Sequence, residues 1–124
     1  MPDWSIKIVP SGSGGAAFVP DLQGAKPGDP LRAQQDDLVT WNNTTGDSHQ
    51  PWPTNSSYQP LQVQRTSAEY LSDVVAAGGS SRPSYDVAQP SPTSQTWTIY
   101  YYCKLHPNVA TERGTIIGTA VPTS

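Results

Sequence analysis

The chain has 124 residues, a net charge of −3 and 14% charged residues. That length suits one domain, 1–124, and the charge leaves no basic excess to neutralise nucleic-acid phosphates. Hydrophobic residues make up 35% without a long apolar run, which excludes a membrane-spanning helix. The 10 glycines and 13 prolines follow no period, which excludes collagen and argues against long helices. Short hydrophobic runs between these breakers point to an all-β sandwich or small barrel.

In chain order, WSIKIV at 4–9 reads as a first strand, stopped by Pro10 and SGSGG at 11–15. Residues 16–19 suggest a short second strand, and residues 20–30, with three prolines and two glycines, a loop. DLVTWN at 37–42 alternates as a half-buried strand does, with Trp41 expected in the core. NTTGDS at 43–48 is turn-rich, and Pro51 and Pro53 bracket Trp52 in an irregular or edge segment.

Thr66-Ser-Ala-Glu69 fits a capping box and Gly78-Gly79 a helix end, so 67–77 has a helical reading. The β-branched Val74-Val75 pair favours instead a strand through YLSDVV and a turn through AAGGSS. Residues 84–87 suggest a short strand, 88–95 a spacer, TWTIYYY at 96–102 the strongest strand of the chain, and GTIIGTAV at 114–121 the last. Trp97 and Tyr100–Tyr102 are expected in the core and on a sheet face rather than on an electron path. Seven or eight strands without an internal repeat fit a Greek-key sandwich.

The chain holds one cysteine and two histidines. The cysteine forbids an internal disulfide, and it sits with one histidine as Cys103-Lys-Leu-His106 at the end of the strongest strand. His49 follows the strand that ends at Asn42. A thiolate and two imidazoles are the ligands of a trigonal copper site. Cys at a strand end and His three residues on lie across one tight turn and can face a single ion, and a second loop then supplies the third corner. By itself a lone Cys reads as a small buried hydrophobe and His49 as a turn cap. Their joint order, with every His and Cys used, outweighs those readings. Zinc suits the same donors.

DDLVTWNNTTGDSH at 36–49, YLSDVVAAGGSS at 70–81 and YYYCKLHPNVATERGTIIG at 100–118 resemble segments of the cupredoxins, the blue-copper family of plastocyanin, amicyanin and azurin. The resemblance implies a cupredoxin-like sandwich in which His49, Cys103 and His106 bind one mononuclear copper. The departure lies at the axial position, where short-loop members carry Met and this chain has Val109. In the longer plastocyanin-like spacing the corresponding residue is Thr111, and the only methionine is Met1. Glu112 is the nearest strong donor, and the carbonyl of Ser48 is a possible weak contact, as in azurin. Val109 as an apolar cover is the favoured expectation, because neutral axial groups suit electron transfer. Gln50 stands where the family often has Asn, which questions the usual brace near the thiolate.

The resulting expectation is a monomeric electron carrier and not an enzyme, with a transient redox protein as partner. Leu105, Pro107 and Trp52 would form a docking patch around His106. The runner-up is a copper-binding module that does not shuttle electrons, either a carrier or sensor or a domain of a larger copper oxidoreductase. A Cys-His hydrolase fails, since a β-loop offers no helix N-terminus to lower the thiol pKa. MPDWSIKIVP has no signal-peptide pattern. Competition from cytosolic thiols still points to a periplasmic or otherwise extracytoplasmic site. Asn42-Asn43-Thr44, Asn43-Thr44-Thr45 and Asn55-Ser56-Ser57 match the glycosylation pattern, which such loops produce by chance.

Overall fold

A computed structural model describes residues 3–11 and 15–121. Eight strands form two four-stranded sheets. They are β1 (Asp3–Pro10), β2 (Ala16–Pro20), β3 (Leu31–Gln34), β4 (Leu38–Asn43), β5 (Pro51–Thr54), β6 (Tyr85–Asp86), β7 (Thr96–Cys103) and β8 (Arg113–Thr119). One sheet runs in the order β2-β1-β4-β6 and the other β3-β8-β7-β5. Both are mixed, because β1 pairs parallel with β4 and β3 parallel with β8, while the other pairs are antiparallel. Among the described residues no helix is long and apolar enough to cross a membrane.

Alternating side chains point to opposite faces of a strand, and the inward set of each sheet meets in the core. Ile6, Ile8, Phe18, Val39 and Trp41 come from the first sheet, and Leu31, Tyr101, Cys103 and Ile116 from the second. Tyr101 lies edge-on to both Phe18 (4.9 Å) and Trp41 (5.4 Å), tying the sheets together. Removing the fully buried Trp41 ring should cost about 3–5 kcal/mol. Gly114 and Gly118 are inward positions of β8 without side chains, and the rings of Tyr101 and Trp97 lie where their Cβ atoms would stand. The expected core roles of Trp41 and of the β7 aromatics hold, with Trp97 and Tyr101 inward.

One strand, β3, escapes the sequence pattern, and β5 takes the edge form of the two readings expected for it. LRAQ has neither aromatic nor β-branched residues, and it is a strand because Leu31–Gln34 pair with Ile116–Thr119. PWPT is one because β5 lies at a sheet edge, where two prolines without N–H groups leave no ladder bond unmade. The expected strand at 70–75 is corrected. The segment makes only isolated bridges, His49 with Val75 and Asn42 with Ser80, around a turn with Gly78 at φ +75°. Nothing there is helical either. The segment lacks a continuous partner because it crosses the loop after β4 instead of lying beside a strand. The last strand begins at Arg113 and ends at Thr119, short of the expected 121.

Candidate metal centre

The metal-ligand-type side chains of His49, Cys103, His106 and Glu112 converge at one end of the sandwich. One donor atom from each lies within 4.8 Å of all the others. Cys103 closes β7, and its N–H donates to the carbonyl of Glu112 at 3.0 Å, extending the β7–β8 ladder by one rung. Between them the chain coils through three successive turns: His106 N–H to the Cys103 carbonyl, Val109 N–H to that of His106, and Glu112 N–H to that of Val109, at 3.2, 3.1 and 3.0 Å. Side chains three apart share one side of such a coil. Cys103, His106, Val109 and Glu112 therefore return to the same face. His49 is delivered by the loop that leads from β4 into β5, its N–H and C=O both bonded to Val75.

Nδ1 is the ring nitrogen that faces the cluster in both histidines. Each Nδ1 stands 3.0 Å from Glu112 Oε1, and Cys103 Sγ lies 3.6 Å from the His49 Nδ1 and 3.4 Å from the His106 Nδ1. Glu112 is 2% exposed, and its second oxygen accepts the Ala16 N–H at 3.2 Å. The His49 side chain is 3% exposed and that of His106 35%, so only His106 presents an edge to solvent.

Hydrogen bonding assigns the protons of His49. The Asn43 side-chain nitrogen faces the carbonyls of Asp47, Val75 and Ala76, at 2.7, 3.1 and 3.2 Å, which orients the amide. Its oxygen then accepts the Thr45 N–H at 2.9 Å and the Thr45 hydroxyl at 2.7 Å. The hydroxyl proton is taken by an acceptor that cannot donate, the Asn43 oxygen or the Asp47 carbonyl at 3.0 Å. Thr45 Oγ1 is left to accept from His49 Nε2 at 3.0 Å, so Nε2 carries the hydrogen. In the neutral ring Nδ1 then carries the lone pair, which faces a carboxylate oxygen. Two acceptors at that distance need a proton or a cation between them, and a metal ion meets the requirement for all four donors at once. The donor set therefore fits a metal site.

Burial pushes the Cys103 thiol up, N–H groups of Gln50 and Leu105 oppose this, and the Glu112 carboxylate adds to it. Without a cation the sulfur is held as the neutral thiol, and metal binding must displace its proton.

Of the sequence-predicted residues, His49, Cys103 and His106 come together. The Glu112 carboxylate lies with them, and Val109 is not among the four converging donor side chains. Val109 is half-buried and packs against Gly15, with its Cγ1 2.6 Å from where a Cβ on that glycine would sit. The Thr111 hydroxyl donates to the Ala16 carbonyl at 2.8 Å, away from the donor set. Ser48 is exposed on the preceding loop. Gln50 braces the sulfur with its backbone N–H (3.4 Å), which any non-proline residue supplies, while its side chain donates to the Ser72 carbonyl.

Leu105 (44% exposed) and Pro107 lie at the surface beside His106. Trp52 does not join them: it is buried, donates to the Leu61 carbonyl at 2.8 Å and packs edge-on to Tyr70. The loop 55–70, unreadable from composition, covers it. Sequence reasoning missed Asn43 and Thr45, whose N-T-T pattern it noted only as a chance match to the glycosylation pattern. Asn43 is in fact buried, with its amide fully engaged. The signals available were the Asx-turn spacing at 43–45 and the period of three from Cys103 to Glu112.

A β-sandwich with a His-Cys-His-Glu cluster at one end defines a sandwich with a candidate metal site. No family model and no curated protein matches the chain. Solved structures do. A purple cupredoxin from Nitrosopumilus maritimus superposes with a TM-score of 0.60 at 16% identity, over 94% of this chain and 98% of that one. Oxidised plastocyanin from Dryopteris crassirhizoma gives 0.56 at 16% identity, over 94% and 99%. The multicopper oxidase McoA from Aquifex aeolicus gives 0.57 at 15% identity over 97% of this chain, which spans only 30% of that protein. The chain has the cupredoxin fold.

Proposed function

We propose that this protein is a monomeric, single-domain electron carrier that holds one copper ion through His49 Nδ1, Cys103 Sγ and His106 Nδ1, with the Glu112 carboxylate as fourth donor. The observation that carries this reading is the convergence of those four donors with both Nδ1 atoms turned inward. A copper ion bound there supplies a one-electron couple and an intense thiolate-to-metal absorption. The protein's part is to hold the donors in place. His49 is locked by Thr45 and Val75, and Cys103 by the β7–β8 ladder and the Gln50 N–H. Glu112 is oriented by the Ala16 N–H, and its charge favours the higher oxidation state. His106, exposed beside Leu105 and Pro107, is the edge through which an electron leaves for a transient redox protein partner. An extracytoplasmic location fits a copper thiolate, since cytosolic thiols compete for the ion.

The likeness to a multicopper oxidase domain favours a second reading, a module within a larger oxidoreductase. The two histidines of this chain leave none for further copper clusters.

Addition of Cu(II) to the metal-free protein should give one equivalent of a strongly coloured species. Cys103→Ser should abolish the colour while the fold persists, and Glu112→Gln should shift the spectrum and raise the potential. A colourless Cu(II) complex, or a colour that survives Cys103→Ser, would refute the ligand set. A spectrum unmoved in Glu112→Gln would remove the carboxylate from it. Rapid loss of copper to a mild chelator, combined with slow electron self-exchange, would favour a non-shuttling module.

A further inference from the structure

The sheet β3-β8-β7-β5 has an outward face quite different from the rest of the chain. Its four strands contain no aspartate or glutamate, although the chain has ten acidic and seven basic residues. Arg32 and Arg113 alternate with the inward residues Leu31 and Gly114 and so belong to the outward face, and Lys104 continues that face one residue beyond β7. Two of these cations are seated on aromatic rings. The Lys104 ammonium lies 3.8 Å from the Trp52 ring centroid, and the Arg113 guanidinium 4.9 Å from that of Tyr58. Tyr58 in turn stands edge-on to Tyr100 at 5.8 Å. Such seating holds the charges in place before any partner arrives. The nearby Arg65 adds nothing, because both arms of its guanidinium are spent on Asp73.

We propose that this face, from Lys104 and Arg113 across to Arg32, is a docking surface for a protein that presents a carboxylate-rich patch. A net charge of −3 combined with one sheet whose strands carry no carboxylate makes the molecule electrically polar. Glu69 of the loop 55–70 stands near Thr54 and Tyr100 at the β5 edge of that sheet. An acidic partner is therefore repelled by most of the surface and steered to the Lys104–Arg113–Arg32 side. Lys104 follows Cys103 directly, which places the surface at the metal-site end. That the partner exchanges electrons rests on the function proposed above, whereas the surface itself does not.

The test uses the metal-free protein, so that failure of the copper assignment leaves it intact. Hexacyanochromate(III), a paramagnetic trianion, is titrated against the isotope-labelled chain and backbone amide broadening is recorded. Amides of Arg32, Lys104, Arg113 and Ile117 should broaden at about tenfold lower concentration than those elsewhere, and the preference should vanish in about 1 M NaCl, where the screening length falls to ~3 Å. Arg32 and Lys104 are exposed, so the double variant Arg32→Glu/Lys104→Glu should keep its amide dispersion and lose the preference. Poly-L-glutamate should perturb the same amides. Uniform broadening, broadening centred on Lys7 or Lys26, or a preference that survives the double variant overturns the proposal. So does binding of a single-stranded oligonucleotide in preference to polyglutamate. A localised preference in a protein that gives no coloured copper species would keep the surface and refute the carrier.

Discussion

Replacing Thr45 by valine tests the hydrogen-bond relay behind His49. Valine keeps the volume of threonine but removes the oxygen that accepts the His49 Nε2–H at 3.0 Å and gives its proton to Asn43 at 2.7 Å or Asp47 at 3.0 Å. A buried donor left without an acceptor costs about 1–3 kcal/mol. The Asn43 oxygen loses less, since the residue 45 N–H still reaches it at 2.9 Å. At about 2.1 cal/mol/K of unfolding entropy per residue, a chain of 124 residues loses ~4 °C of Tm for each kcal/mol. The metal-free Thr45→Val protein should therefore melt about 4–12 °C lower by calorimetry. The Nε2-bound proton of His49, protected in the parent protein, should exchange rapidly with water in the variant. Copper affinity should fall about 10–100-fold, as when other outer partners of metal ligands are lost. Thr45→Ser should restore all three properties. An unchanged Tm together with a still protected Nε2 proton would refute the assigned proton arrangement.

Gly15→Ala should destabilise by about 1–3 kcal/mol, because its Cβ would lie 2.6 Å from Val109 Cγ1 and 3.3 Å from Glu112 Oε2. The same variant should shift the copper spectrum by moving Glu112, whereas a shift in Tm alone would mean that the carboxylate is not a ligand. Burial pushes the Tyr85 hydroxyl up to about 12 and that of Tyr101 further in the same direction. Both favour the neutral form in the folded state, so the Tyr85 contribution is complete below pH 10 and is lost as pH rises through about 12, with that of Tyr101 lost at still higher pH. Tyr85→Phe should flatten the alkaline fall in chemical-denaturation stability between those limits, and an unchanged slope would count against the assignment. Hydrogen bonds from Arg65, then from Tyr70, hold the Asp73 carboxyl at about 2, below its usual 3.8. That contribution is present above the usual value and fades as pH falls through the lower one. A side-chain NMR titration should show the low midpoint, and Arg65→Gln should raise it.

Much of this molecule is legible in its sequence because the physics involved is local. Alternation in DLVTWN and TWTIYYY marks β4 and β7 without reference to any partner, and the spacing of Cys103 and His106 follows from a strand end and one turn. What escapes is whatever depends on a distant neighbour. Leu31–Gln34 is a strand only because β8 lies beside it, and Pro51–Thr54, readable as irregular or edge, is an edge strand because β7 lies beside it and an edge tolerates proline. Val74-Val75 has strand propensity but no strand to join, so it makes a single bridge to His49.

The site divides in the same way. Three donors follow from residue type and order, because only one cysteine and two histidines exist to choose from. Glu112 joins them because the β7–β8 register sets its carbonyl opposite the Cys103 N–H and three turns bring its side chain back to the sulfur. Sequence reasoning named it as a donor but favoured Val109 as an apolar cover. The protonation of His49 is more remote still. It depends on an Asn43 amide oriented by the carbonyls of Val75 and Ala76, more than thirty residues away in the chain. Residue types determine which chemistry is available here, and tertiary packing decides which lone pairs face one another, because hydrogen bonding is directional and its partners lie on different strands.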